Sequence, residues 1–293
     1  SSTLAGHLRY WRDALADAPE ESTLATDNPR PAQPTHRGGD LSFVLDTETV
    51  DGLRCTAADL GVSMFMISQA ATAATVSLLG SASDVVIGSP VGGRTEDGLE
   101  DVVGYFVNTL PLRHHLYPRD TFAELLTRVR QTVLDGFAHQ SAPFEGIVRE
   151  LGITRSTDRT PLFQILLTHI AIDTESDEDH LDLPGVQVVP AGTVSSSTVK
   201  TDLELDIEDG PNGIAGSIAY AADLFTAATI QRFVDVLTAV MGAIAHAPHS
   251  RIVDATLIPE ADRARTALWE NGTQQSIDDA TLDSLVRNRI QAT

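Results

Sequence analysis

The stretch VGYFVNTLPLRHHLYPRDTFAELLTRVR, residues 103–130, changes its period part-way. Up to the paired histidines it reads as a strand, and Tyr117-Pro118 ends the ladder because proline has no N–H to donate. From Thr121 the apolar residues recur at helical spacing. Phe122, Leu125, Leu126 and Val129, continued by Val133 and Phe137, make one face, and Thr121 with Glu124 makes a capping box. A strand handed through a tight turn to an amphipathic helix predicts a sheet covered by helices.

The rest of the chain repeats that grammar. Residues 1–16 predict an opening helix, and the proline-containing stretch to Gly39 predicts an extended surface connector. LSFVLD predicts a strand, followed by helices in TETVDGLRCTAADLG and in SMFMISQAATAATVSLLG, the second apolar enough to lie in the core. DVVIGSPVGG reads as a buried strand emptying into a loop. After the helix from Thr121 come a short helix in PFEGIVRELG and a strand in PLFQILLTHIAI. The acidic run DTESDEDHLD predicts a solvated loop. VQVVPA, TDLELDIED and GIAGSIAYA predict strands, the last two joined through Pro211-Asn212-Gly213 as a hairpin, and TAATIQRFVDVLTAVMGAIAHAP predicts a long amphipathic helix. After Ile258-Pro259 strand signals stop, so a boundary is placed there: residues 1–258 form the domain and 259–293 a tail.

Composition narrows the partners. At 293 residues the chain can bury a large core, and a net charge of -21 repels both a nucleic-acid backbone and an anionic membrane surface. No sequence run looks like a membrane span or a secretion signal, and the single cysteine fits a reducing cytoplasm. Cys55 is expected as a buried structural thiol, and no Cys/His cluster has zinc spacing, so no metal is expected.

His114, His115 and Asp120 look like chemistry. Consecutive strand residues point to opposite faces, however, so the two imidazoles do not converge on one ligand, and the segment reads as a strand-end turn. His7, His36, His169, His180, His246 and His249 match no motif and are expected as structural or surface residues.

Three ordered stretches resemble the condensation domains of nonribosomal peptide synthetases. VGYFVNTLPLR (103–113) looks like G-x-F-V-N-T-x-x-x-R, HQSAPFE (139–145) like H-Q-x-x-P-F-E, and RSTDRTPL (155–162) like R-D-x-S-R-x-P-L, with Ser156 and Asp158 departing from the usual Asp and Ser. VVIGSPVGGR, VKTDLELDIED and AYAADLFTAATIQRF resemble the family's flanking text. The resemblance covers residues 4–258, and ALWENGTQQSIDDATLDSLVRNRI is similar to the linker from a condensation to an adenylation domain. The family's catalytic signature HHxxxDG belongs to the half that precedes LRYWRDAL. The expected catalytic histidine therefore lies upstream of Ser1, with none in this chain.

The resemblance implies a chloramphenicol-acetyltransferase-like two-layer α/β sandwich, one lobe of a two-lobed pseudo-dimer, here the C-terminal lobe. It implies that an aminoacyl amine attacks a peptidyl or acyl thioester in a tunnel between the lobes, both substrates riding on the phosphopantetheine of carrier proteins, with no cofactor bound directly. Partners implied are the N-terminal lobe, donor and acceptor carrier proteins and a downstream adenylation domain. Asn108 is the first candidate for a polar group on the tunnel wall. Val107 is a candidate lining residue in the strand, Arg94 a candidate for a pantetheine phosphate, and Arg113 an ion-pair partner more than a substrate contact. Gly104 belongs to the first motif. His139, Gln140, Pro143 and Glu145 are expected to build a helix-to-helix corner, with His139 favoured as a cation at a helix end. Arg155 and Arg159, flanking Asp158, are expected to hold a loop by a salt network.

A second reading keeps the fold but not the activity: a truncated, non-catalytic platform for an adenylation domain or carrier protein. Epimerisation is disfavoured because no E-G-H-G-R stretch occurs, and heterocyclisation because the motifs fit amide formation better. As a lobe without its partner, the chain is expected to self-associate or to be marginally stable, and to form no peptide bond alone.

Overall fold

The computed structural model describes residues 2–21, 24–80, 82–94, 98–99, 101–117, 119–154, 156–172, 198–211 and 213–253. The chain divides into two compact units, Ser1–Leu257 and Ile258–Thr293, and the second lies outside the described residues, as do the acidic run and VQVVPA.

Among the described residues the first unit is built on one six-stranded sheet. Its strands are β1 (Gly38–Val44), β2 (Asp84–Val91), β3 (Asn108–His115), β4 (Ile165–Ala171), β5 (Leu203–Gly210) and β6 (Gly213–Ala221), in the spatial order β1-β6-β5-β4-β2-β3. The centre is parallel, β2 with β4 and β4 with β5, and the remaining pairings are antiparallel. β5 shows the alternation that built it: Leu203, Leu205 and Ile207 are buried while the residues between them face outward. The β5–β6 hairpin closes with Gly210 opposite Gly213, as the turn residues predicted.

Helices α1 (Ser2–Ala14), α2 (Thr47–Leu60), α3 (Met64–Gly80), α4 (Phe122–Ala138), α5 (Phe144–Glu150) and α6 (Ala227–His246) supply the second layer. α3 is buried continuously from Met66 to Val76, and alanines at 70, 71, 73 and 74 keep it thin enough to pack against β2, α4 and α6 together. α2 and α6 pack more closely still. A Cβ on Gly52 would lie 2.8 Å from that of Ala245. α6 is long and apolar enough to cross a membrane on length and composition, which the sequence reading did not anticipate. Eight of its side chains, from Ile230 to Ile244, are buried against the domain, the disposition of a core helix.

The caps follow the sequence. Thr121 accepts from the Glu124 amide at 3.2 Å, and the Glu124 carboxylate accepts from the Thr121 amide at 2.8 Å. The connector after α1 is tied down by carboxylates: Asp27 accepts from the Thr226 amide (2.7 Å) and the Thr229 hydroxyl (2.8 Å) at the start of α6, where the helix dipole favours an anion.

Three expectations need correction. Cys55 is exposed, because α2 buries Thr49, Val50, Leu53 and Thr56 and Cys55 points away from that stripe. The strand expected from Val103 begins only at Asn108; residues 102–107 lie outside the ladder and are exposed apart from the half-buried Phe106, so Val107 is not a strand residue. Phe137 is 36 % exposed, because Gly136 takes the last buried position on α4, where a Cβ would meet Leu112 at 2.7 Å.

Candidate functional site: a cleft where two parallel strands part

β2 and β4 are paired only at Ile87 with Ile165 and Gly88 with Leu166. Beyond that the strands part, and the ladder is replaced by side chains. Ser89 Oγ donates to the Leu167 carbonyl at 3.1 Å and accepts from Gln69 Nε2 at 2.6 Å. Gln69 Oε1 in turn lies 2.9 Å from His114 Nε2, which fixes the proton on that nitrogen. One buried hydrogen-bonded chain thus runs from β3 through α3 to β2 and β4, satisfying the groups that the parted strands would leave bare. Burial, aided by His115, pushes the His114 pKa down to about 3 against the opposing pull of Asp84, so the ring is neutral at physiological pH.

The parting opens a cleft of about 530 Å³ at the carboxyl ends of β2 and β4, the place where open α/β sheets bind ligands. Pro90 and Val91 wall one side, Phe65 and Met66 of α3 and Leu134 and Phe137 of α4 another, and Thr168 and His169 of β4 the third. Phe65 meets Phe137 edge-on at 6.0 Å and His169 at 6.4 Å between ring centres. Ser68 Oγ donates to the Met64 carbonyl at 3.0 Å and sits 3.1 Å from His169 Nδ1. With the hydroxyl proton committed to Met64, Nδ1 carries the ring proton and Nε2 is the acceptor. Burial lowers the His169 pKa, opposed in part by Asp209.

Residues 1–266 match the condensation domain family. The chain belongs to that family. It is 40 % identical over 293 residues to the probable non-canonical nonribosomal peptide synthetase CymA of Salinispora arenicola, covering 99 % of this chain and 4 % of that protein. It is 36 % identical to the dimodular nonribosomal peptide synthase of Bacillus subtilis, covering 94 % and 12 %. The chain thus spans a small part of the curated relatives it matches. Among solved structures it is similar to a holo four-domain nonribosomal peptide synthetase bound to AMP and glycine (25 % identity, TM-score 0.79, 97 % of this chain and 22 % of that one). It is also similar to the X-domain from teicoplanin biosynthesis (30 %, TM-score 0.77, 86 % and 57 %). The fold is accordingly the chloramphenicol-acetyltransferase-like one of condensation domains.

In this condensation domain the first two motifs are tied together by Asn108. Its Nδ2 donates to the carbonyls of Gln140 (2.9 Å) and Ala142 (2.8 Å), and its Oδ1 accepts from the Phe144 amide (3.0 Å). Both amide donors are therefore engaged inside the protein, and Asn108 locks the corner between α4 and α5 to the start of β3. Pro143 is the N-cap of α5 and Glu145 lies in its first turn. His139 ends α4, but not as the cation expected. Its Nδ1 lies 2.8 Å from His7 Nδ1, its ring stacks on Tyr10 at 4.1 Å, and its carbonyl accepts from Trp11 Nε1 at 3.0 Å. One of two facing ring nitrogens must be bare, and burial and His7 both lower the His139 pKa, with Asp135 opposing.

Arg113 grips Asp84 through Nε (3.0 Å) and Nη2 (2.7 Å) and donates to the carbonyl of Ala16 at 2.6 Å, fastening the exit of α1 to the strand. Arg94 is exposed, but its guanidinium is engaged by its own loop. Its Nη1 donates to the carbonyls of Leu99 and Val102, and its guanidinium lies 4.4 Å above the Phe106 ring. Gly93 makes this possible: its φ is +66°, and a Cβ there would stand 1.9 Å from the Phe106 carbonyl oxygen. The resulting loop exposes Gly104 between Val103 and Tyr105. Arg159 pairs with Glu21 and Asp158, while Arg155 lies outside the described residues.

Asp120 accepts from the Tyr117 amide at 3.2 Å and pairs with Arg128, and His115 is exposed while His114 is buried, so HHLYPRD is a strand-end turn. Sequence reasoning passed over His169, Ser68 and Phe65. A readable signal existed in THI of β4, a histidine in a run otherwise fit for the core.

Proposed function

We propose that this chain is the C-terminal lobe of an amide-forming condensation domain, and that the cleft at the ends of β2 and β4 belongs to one wall of its tunnel. The reaction is attack of an aminoacyl-carrier-protein amine on a peptidyl or acyl thioester, the C–N bond forming as the C–S bond breaks and the pantetheine thiol leaves with a proton. The histidine of HHxxxDG, supplied by the complementary lobe, is the basic group at the reacting atoms. Phosphopantetheine arrives on the donor and acceptor carrier proteins. Residues 259–293 act as the linker to an adenylation domain, and the reaction takes place in the cytoplasm.

The observation that carries this reading is an uncovered apolar segment at the start of the first motif. Val103 is fully exposed, Tyr105 is 89 % exposed, and Val102 and Val107 are each more than 40 % exposed. Such a cluster is costly in water and normal at an interface, and it is built on the loop that follows β2 into β3, next to the cleft. Two carrier proteins, one loaded with donor and one with acceptor, test it. The full-length protein should yield amide product by mass spectrometry, and this chain alone should yield none; product from the chain alone overturns the lobe reading.

A second reading, a non-catalytic docking platform, is favoured by one comparison: an X-domain of 28 % identity and TM-score 0.78 has been solved as a complex with OxyB from teicoplanin biosynthesis. Absence of amide product from the full-length protein would select it.

A further inference from the structure

The cleft contains one feature that the proposed reaction has not yet used. Among the described lining residues no side chain carries a full charge at neutral pH, and the polar groups are few: Ser63, Gln140, Thr168 and His169. Of these, His169 is the one whose chemistry is fixed by the fold. Ser68 is 3 % exposed, and its proton is committed to the Met64 carbonyl, so it receives the Nδ1–H of His169 and holds the ring in one tautomer. Gln69, the next residue, is locked to Ser89 and His114, which keeps this turn of α3 from sliding along the sheet. The Nε2 of His169, on the far side of the ring, has no hydrogen-bond partner among the described residues.

We propose that His169, held by Ser68, presents Nε2 as the hydrogen-bond acceptor for an N–H of the attacking aminoacyl amine. The idea rests on the condensation reading and names the group that orients its nucleophile. The amine needed for attack is the neutral one, with its lone pair free. Donating one N–H to a fixed acceptor leaves that lone pair free to face the thioester carbon, whereas a carboxylate would hold the unreactive ammonium. Among the described residues that line it, the cleft has an imidazole and no carboxylate. Burial keeps that imidazole unprotonated, so it accepts and does not repel. Phe65 and Phe137 line the same cleft of about 530 Å³, an apolar wall for the stem or side chain beside the amine. No bond to carbon is made or broken by His169; its role is orientation.

Calorimetric binding to the full-length protein, with no donor loaded, tests the assignment. The probes are N-(2-acetamidoethyl) amides of glycine, leucine and phenylalanine, each paired with the amide of its des-amino acid. In the wild type the best amine should bind about tenfold tighter than its des-amino partner, the worth of one well-placed hydrogen bond. His169→Phe should reduce that ratio to about one. His169→Gln, whose amide oxygen can accept from the same N–H, should retain part of it, and Ser68→Ala, which frees the tautomer, should lower it severalfold. A merely structural His169 would weaken both members of each pair alike. An unchanged ratio in His169→Phe, or in His169→Gln and Ser68→Ala together if His169→Phe does not fold, overturns the assignment while leaving the condensation reading standing. A wild type that, once its donor is loaded, makes no amide with any acceptor overturns that reading and the assignment with it.

Discussion

His114 Nε2 donates to Gln69 Oε1 across 2.9 Å, and through that bond a strand histidine governs how two other strands separate. The chain continues from Gln69 to Ser89 and on to the Leu167 carbonyl, at the point where β2 and β4 stop pairing. Cutting it leaves a buried amide without its partner. His114→Ala is expected to cost about 2–4 kcal/mol, from the cavity and the orphaned Gln69 together. Urea unfolding followed by circular dichroism measures it, and a loss below about 0.5 kcal/mol would contradict the role.

The same histidine makes stability depend on acid. Its pKa in the folded protein is about 3, against an ordinary 6.5, so as pH falls the unfolded chain takes up the proton first. Stability from this group is complete above about pH 6.5 and is lost as pH falls toward 3, with a slope of up to about 1.4 kcal/mol per pH unit. Unfolding free energies measured across that range should flatten in His114→Gln relative to the wild type.

Asn108 is expected to matter for the corner it holds. Asn108→Ala removes three hydrogen bonds at once and is expected to cost about 2–3 kcal/mol. Asn108→Asp should be no better, since a carboxylate would face the carbonyls of Gln140 and Ala142, which need donors. Hydrogen exchange at the Phe144 amide reports the change locally, and faster exchange in both variants is the expected outcome.

The exposed 102–107 segment predicts the solution behaviour of the isolated chain. Sedimentation should show self-association that Val103→Asp with Tyr105→Ser reduces, because both side chains stand in solvent and neither supports the core. A monodisperse wild-type monomer would count against an unpartnered face.

Much of the fold was legible in the sequence, because strands and helices here carry clean periods: the buried alternation of β5, the capping box at Thr121 and the unbroken apolar length of α3. The misses have physical causes. Val107 looked like strand because Val and Phe suit a pleat, yet Gly93 and Arg94 fold the preceding loop against Phe106 and delay pairing to Asn108. Cys55 lies off the stripe of α2 by angle, which apolarity alone does not show. The site was the least legible part. Asn108 directs its amide inward and Arg94 spends its guanidinium on its own exposed loop, and the cleft lies where β2 and β4 diverge, a long-range relation between segments some eighty residues apart that no local pattern encodes.

Covalent capture tests the central claim most directly. The full-length protein would be given an acceptor carrier protein whose pantetheine bears a photoreactive aminoacyl group, irradiated, and mapped by peptide mass spectrometry. Cross-links at Phe65, Phe137 or His169 are predicted. Efficient cross-linking elsewhere, with none on the walls of this cleft, would contradict the account.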